Sequence, residues 1–296
     1  MTAAIIDGNA IAQQVREELR AEIERLRASD IEPGLAVVLV GEDPASVSYV
    51  RGKTRDAAEV GIRSETVRLP AAITQDELLR IVDGLNHDPR WHGIIVQVPL
   101  PHHIDETTVA AAVKPEKDVD GLNPLNLGRL FRGEPALLSC TPRGVQELLL
   151  RSGHDPAGRD VVICGRSNLV GKPLAGLLMR KAPGGNATVT VCHTATPDIG
   201  AHTRRADIVV AAMGRPRAIT ADMVRAGAVV IDVGVNRVPD ASRKSGWRLV
   251  GDVDFGAVSK KAAAITQVPG GVGPMTRAML LANTVIAARG GPTIAT

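Results

Sequence analysis

Short runs of β-branched and aliphatic residues, closed by Gly or Pro, alternate with longer stretches of helical period along nearly the whole chain. That alternation commits the chain to mostly parallel sheets covered by helices. Apolar positions at helical spacing run through NAIAQQVREELRAEIERLR (9–27), and LAVVLVG (35–41) then reads as a buried strand. EDPASVSYVRGKTRDAAEVG opens with acid and Pro and closes with Gly, as helices do. IRSETVRL (62–69), TQDELLRIVDGLN (74–86) and HGIIVQVPL (92–100) repeat the pattern as strand, helix and strand. The regularity lapses in PEKDVDGLNPLNLGRLFRGEPALLSC, rich in Pro, Gly and Asn, and the domain junction is expected there. Beyond it a helix at PRGVQELLLRSG leads into VVIC (161–164), a helix over 171–182, TVTVCH, DIVVAAMG and AVVIDVGVN, the order of a doubly wound Rossmann-type unit. The last helix, PMTRAMLLANTVIAARG, is apolar on one face and is expected to pack back onto the first domain. The expected division is therefore 1–120 with 274–296, and 121–273.

At 296 residues the chain is long enough for two domains with sizeable cores. Its net charge of +3 is spread without runs of one sign, which argues against a nucleic-acid groove and leaves a small anionic ligand as the reason for local positive charge. No apolar run approaches the roughly 20 residues that span a bilayer, so no membrane association is expected. MTAAIIDGNA lacks a basic region followed by a long apolar stretch, so no export signal is expected either. Cys140, Cys164 and Cys192 are widely spaced and read as reduced core thiols of a cytoplasmic protein, with no metal site. DVDG at 118 and GDVDF at 251 are similar, and the similarity is taken as coincidence.

RDVVICGRSNLVGKPLAGLLM joins a strand to a helix through Gly165, Ser167 and Gly171. Backbone amides exposed by small residues at a helix N-terminus bind phosphate. The spacing is not GxGxxG, because Ser167 and Val170 hold the second and third glycine positions, so a plain tight turn is the competing interpretation. NAD-binding folds usually end the next strand with an acid for the ribose 2′-hydroxyl; here it ends Cys192-His193-Thr194. Arg166 and Thr194 suit a 2′-phosphate instead, which favours NADP over NAD. His193 reads as a polar strand-end residue.

SYVRGK (48–53) holds the single tyrosine of a chain with two Trp and two Phe. Tyr49 and Lys53, four apart on a helix, share a face. Lysine is an adjustable acid or base when partly desolvated, and a phenol beside it can stack on a planar substrate or share its proton. A surface pair is the ordinary alternative. Short-chain dehydrogenases carry the same YxxxK spacing, but there the glycine loop precedes the pair, and here the order is reversed. VQVPLP (96–101) brings Gln97 to a strand end, KDVDG (117–121) places Asp118 and Asp120 in the junction, and QVPGGVGPMTR (267–277) is a glycine- and proline-rich loop before the last helix. Each could be a turn, or part of a site past the C-terminal ends of strands.

Together and in this order, SVSYVRGKTRDAAEVGI, GIIVQVPLP, KDVDGLNPLNLGRL, CTPRGV, ICGRSNLVGKP and PGGVGPMTRAMLLANT resemble the bifunctional methylenetetrahydrofolate dehydrogenase/methenyltetrahydrofolate cyclohydrolase family. The resemblance implies a cytoplasmic homodimer with two α/β domains flanking a cleft. Tetrahydrofolate derivatives would lie in the cleft and NADP on the second domain, in the one-carbon metabolism that feeds purine biosynthesis. By the same resemblance Lys53 is the main catalytic residue, Tyr49 stacks near the reacting ring, Gln97 orients Lys53, and Asp120 holds the pterin. Pro269 and Gly271 would line the cleft, and Gly165, Arg166, Ser167, Thr194 and Val235 would contact NADP. Leu122 stands where Phe is commoner, Asn123 where His is, and the Val of QVPLP where Leu often is. The stretches around KAPGG and PDASRKSG look extended. These departures bear on loop geometry more than on chemistry.

The implied chemistry is coherent. Removing a hydride from the methylene carbon creates positive charge, which a permanently cationic neighbour would oppose, so the reaction asks for an amine able to shed its proton. Two other functions fit part of the pattern. One is another two-domain NAD(P)-dependent dehydrogenase whose Lys53 acts on a small carbonyl or amino acid substrate. The other is a non-enzymatic nucleotide-binding regulator, for which the set Tyr49, Lys53, Gln97 and Asp120 would have no use.

Overall fold

The computed structural model describes residues 2–243 and 246–292. Along them run β1 (Ala4–Ile6), α1 (Gly8–Arg27), β2 (Gly34–Val40), α2 (Pro44–Val60), β3 (Arg63–Leu69), α3 (Gln75–His87), β4 (Gly93–Val96), α4 (Glu106–Ala112), α5 (Pro124–Arg132) and α6 (Cys140–Arg151). Then follow β5 (Asp160–Cys164), α7 (Gly171–Met179), β6 (Thr188–Cys192), α8 (Ile199–Thr203), β7 (Ile208–Ala211), β8 (Val229–Asp232), β9 (Asn236–Pro239), β10 (Trp247–Val250), α9 (Phe255–Val258), β11 (Ala264–Thr266) and α10 (Val272–Ala288).

The chain divides into two compact units. The first unit comprises Gln13–Cys140 with the chain from Arg277 on; the sheet unit comprises the residues up to Ala12 with Thr141–Thr276. The expected boundaries differ from these in three places: at the first residues, at 121–140, and at 274–276, which fall in the sheet unit. The first residues belong with the second half of the chain, because β1 adds a parallel strand beside β11 (Ala4 opposite Ala264). Residues 121–140 belong with the first half, because they fold back onto the Asp118 turn. There Ser139 Oγ donates to the Gly121 carbonyl at 2.6 Å, and a Cβ on Gly121 would lie 2.3 Å from the Ser139 nitrogen. The last helix stays with the first half, where Asn283 Nδ2 donates to the carbonyls of Val119 and Leu138, each at 2.8 Å. Residues 293–296 of the expected terminal segment lie outside the described residues.

In the first unit β2 lies between β3 and β4, all parallel. Every residue of β2 is buried, which is why LAVVLV is uninterrupted rather than alternating. Ala36, Val38, Leu78, Val82, Trp91 and Ile94 form its core. The junction that reads as irregular contains α5: Asn123 caps it by accepting from Leu125 N–H at 2.8 Å, Pro124 starts it, and Gly133 ends it with φ 73°.

The sheet unit has six parallel strands in the order β1-β11-β8-β7-β5-β6. The winding reverses between β5 and β7, the switch point at which open α/β sheets bind ligands. Val162, Cys164, Val209, Val230 and Ile265 belong to one buried cluster. β9 and β10 pair antiparallel as a separate ribbon (Val238 opposite Arg248); Lys244 and Ser245 of the PDASRKSG stretch lie outside the described residues. Cys140, Cys164 and Cys192 are buried and unbridged, and burial pushes the Cys164 thiol up to about 12. Among the described residues no helix is long and apolar enough to cross a membrane.

Candidate functional site

α2 begins at Asp43, whose carboxylate accepts from Ser46 N–H at 2.8 Å, and stops at Gly61 with φ 92°. The caps set the helix phase, so Tyr49, Gly52, Lys53 and Asp56 fall on one face. Lys53 is 8% exposed, and its Nζ donates to Gln97 Oε1 at 3.0 Å. Gln97 follows the last residue of β4; its N–H donates to the Val38 carbonyl of β2 at 2.9 Å and its Nε2 to the Val98 carbonyl at 2.6 Å. The amide is thereby fixed with its oxygen toward the lysine. Tyr49 lies one turn before Lys53 and is 50% exposed, presenting its ring.

The DVDG turn separates its two aspartates. Asp118 is buried and accepts from Leu122 N–H at 3.1 Å, Asn123 N–H at 2.8 Å and Asn126 Nδ2 at 3.0 Å. It holds the turn, and burial raises its pKa above the usual carboxylate range. Lys117 O accepts from Ile94 N–H and Asp118 lies opposite Ile94, so this segment runs parallel to β4 and carries Asp120 toward the edge where Gln97 sits. Asp120 is half-buried. Asn123 donates through Nδ2 to the Val113 carbonyl at 2.8 Å and so ties the turn to α4.

Asp56 and Arg277 also belong to this face, and the sequence alone did not single them out. Asp56 is 2% exposed; its Oδ2 accepts from Arg277 Nε at 2.6 Å and its Oδ1 from Arg55 Nη2 at 3.0 Å. The spacing of Asp56, three residues after Lys53, was the available signal; its cation lies 221 residues away in sequence. Arg277→Met is expected to cost roughly 2–3 kcal/mol in urea unfolding, because the buried carboxylate loses its better-buried partner. Arg55, mostly exposed, should cost about 0.5 kcal/mol when changed to Met.

The other expected residues belong to the sheet unit. Gly165 follows β5 with φ 143°, and a Cβ there would lie 2.2 Å from the Ala212 carbonyl oxygen. Gly171 opens α7 with no room either, 2.1 Å from the Gly165 carbonyl oxygen. Ser167 Oγ accepts from Val170 N–H at 3.1 Å and closes the turn. Arg166, Ser167 and Thr194 are exposed beside it, at the ends of the adjacent strands β5 and β6. His193 is occupied locally: its N–H donates to Thr196 Oγ1 and its Nδ1 accepts from Ala195 N–H. Val235, past β8, is 50% exposed. Pro269 follows a cis peptide after β11 and lines a cavity of about 430 Å³ with Arg217, Asp232, Phe255 and Gln267. Gly271 packs against Gly8, whose Cβ would lie 1.8 Å from the Gly271 carbonyl oxygen. Among the described residues no group of three His, Cys, Asp or Glu is placed to hold a metal ion.

A glycine-lined turn at a parallel-sheet switch point, together with a second α/β unit carrying an amine at its strand ends, defines a two-unit α/β protein of the dinucleotide-binding class. Known proteins narrow this further. Residues 6–120 match the family model "Tetrahydrofolate dehydrogenase/cyclohydrolase, catalytic domain", and residues 139–291 match the corresponding NAD(P)-binding domain. A "Bifunctional protein FolD" of Salinibacter ruber is 58% identical over 287 residues, 97% of this chain and 96% of that one. The solved FolD methylenetetrahydrofolate dehydrogenase/cyclohydrolase of Campylobacter jejuni is 46% identical, with a TM-score of 0.91 over 97% of this chain and 99% of that one. That of Trypanosoma brucei, complexed with NADP cofactor and inhibitor, is 44% identical, with a TM-score of 0.92 over 98% of each chain. The chain belongs to the tetrahydrofolate dehydrogenase/cyclohydrolase family.

Proposed function

We infer that this protein oxidises 5,10-methylenetetrahydrofolate to 5,10-methenyltetrahydrofolate with NADP and hydrolyses the product to 10-formyltetrahydrofolate. The observation that carries this conclusion is the buried amine of Lys53 held by Gln97 at the strand ends of a family member's catalytic unit.

Gln97 spends its oxygen on Lys53 and its nitrogen on Val98, which leaves the remaining positions on Nζ for substrate. Tyr49 offers a flat, half-exposed surface one turn away, against which a fused ring can stack. Asp120 supplies an acceptor for the donors of the pterin edge. The dinucleotide residues fit their ligand by chemistry. Gly165 and Gly171 let the turn pack against Ala212 and against itself, the start of α7 suits phosphate through the helix dipole, and Arg166 and Thr194 suit a 2′-phosphate. NADP, when bound, accepts the hydride that leaves the methylene carbon. In the hydrolytic half, water adds to the methenyl carbon. Lys53 takes a proton from that water and delivers it to N5 as the C–N5 bond breaks, while the remaining hydroxyl proton leaves to solvent as the carbonyl forms, so the formyl group stays on N10. A homodimer in the cytoplasm, supplying formyl groups for purine biosynthesis, completes the proposal and rests on family resemblance.

Methenyl formation followed with NADP and with NAD side by side tests the first half. The expected preference for NADP is about tenfold or more in kcat/KM, the effect of one charge-assisted pair. Equal use of both cofactors would remove Arg166 and Thr194 from the cofactor site, and absence of methenyl product would overturn the oxidation itself.

A further inference from the structure

The resemblance between DVDG at 118 and GDVDF at 251 has a physical basis after all: each contains a buried aspartate that gathers loop N–H groups. Asp252 is 0% exposed. Its Oδ2 accepts from Met213 N–H at 2.5 Å and Gly214 N–H at 2.9 Å, and its Oδ1 from Arg215 N–H at 3.0 Å and Asn236 Nδ2 at 2.8 Å. Three consecutive amides converge on one carboxylate, so the loop after β7 has a single backbone path that does not strand a buried charge.

Asp232 seats Asp252 in turn. Its Oδ1 accepts from Asp252 N–H at 2.9 Å and Gly234 N–H at 3.0 Å, and its Oδ2 from Val253 N–H at 2.9 Å. The two glycines beside the carboxylates leave no room for a side chain. A Cβ on Gly234 would lie 2.2 Å from Asp252 Cγ, and one on Gly251 would lie 1.8 Å from Asp232 Oδ2. The lattice therefore holds both loops at the C-terminal edge next to the switch point. Ala212 of the first loop donates to the Cys164 carbonyl at 2.8 Å, and its own carbonyl abuts Gly165. In the second loop Val235 is clamped between Gly234, bound to Asp232, and Asn236, bound to Asp252.

We propose that Asp252 is a positioning residue for the dinucleotide: it sets the β7 and β8 loops against the glycine turn, and so places Val235 and the edge of Gly165 without touching the ligand. This rests on the NADP reading above. In Asp252→Asn the amide has one acceptor oxygen, so whichever way it turns its NH2 group meets two N–H donors. The expected result is a rise of about tenfold in KM for NADP, while cofactor-free hydrolysis of methenyltetrahydrofolate stays within about twofold of wild type. Asn236→Ala removes one donor and leaves the three amides in place; it should raise the same KM about threefold and decides the matter if Asp252→Asn does not fold. Unchanged KM in the folded variants would overturn the positioning role, as would equal loss of hydrolysis and dehydrogenation. A wild-type protein that hydrolyses methenyltetrahydrofolate but reduces no NADP would instead refute the parent reading.

Discussion

Lys53→Met is expected to lower methenyltetrahydrofolate hydrolysis by about 10²–10⁴-fold, the usual contribution of a positioned proton-transfer group. Methionine keeps the length and apolar stem of the buried side chain and removes only the amine. The substitution therefore leaves the packing of α2 intact and removes the amine proposed to carry the proton. Gln97 Oε1 loses its partner at the same time, a buried acceptor left unmet at a cost of about 1–3 kcal/mol in stability. NADP binding, which depends on the sheet unit, should be unchanged when measured by thermal shift. Hydrolysis by the variant at the wild-type rate would take Lys53 out of the mechanism and leave its burial as a packing feature.

Gly165→Ala should produce the opposite pattern. Two independent obstacles meet at this position: φ 143° is closed to residues with a Cβ, and the added carbon would sit 2.2 Å from the Ala212 carbonyl oxygen. The turn must move away from β7, and with it the Arg166 side chain and the turn backbone proposed to face the phosphates. KM for NADP is expected to rise by about 100-fold, a loss of two or more charge-assisted hydrogen bonds, while cofactor-free hydrolysis persists. Gly158→Ala supplies the control, since Gly158 has φ 71° but nothing within 4 Å of its would-be Cβ; it should cost about 1 kcal/mol of stability and leave KM alone. An unaltered NADP KM in Gly165→Ala would show that the glycine turn is only a turn.

The alternation of β2, α2, β3, α3 and β4, and of β5, α7, β6, β7 and β8, is legible in the sequence because buried parallel strands need uninterrupted apolar runs and helices need a 3.6-residue period. β1 and β11 were not legible: at three residues each they are too short to carry a period, and they become strands through the neighbours that complete their hydrogen bonds. α5 was obscured by its own caps, since Asn, Pro and Gly read as loop residues until their order around PLNLGRLFR is considered. Lys53 and Tyr49 stood out by spacing within one helix, whereas the ion pair of Asp56 with Arg277 joins residues 221 apart in sequence, and no local pattern announces it.

The two α/β halves, the lysine and tyrosine on one helix face and the glycine turn can be read from the residues in order, since periodicity, capping and steric freedom act over a few residues. It takes the folded chain to turn the Gln97 oxygen to Lys53, to set Asp118 to holding a turn, and to bring Asp252 to the amides of a loop almost forty residues earlier. A carboxylate has the same formula in every setting. What it does depends on which donors the fold brings to it and on how much water is left around it.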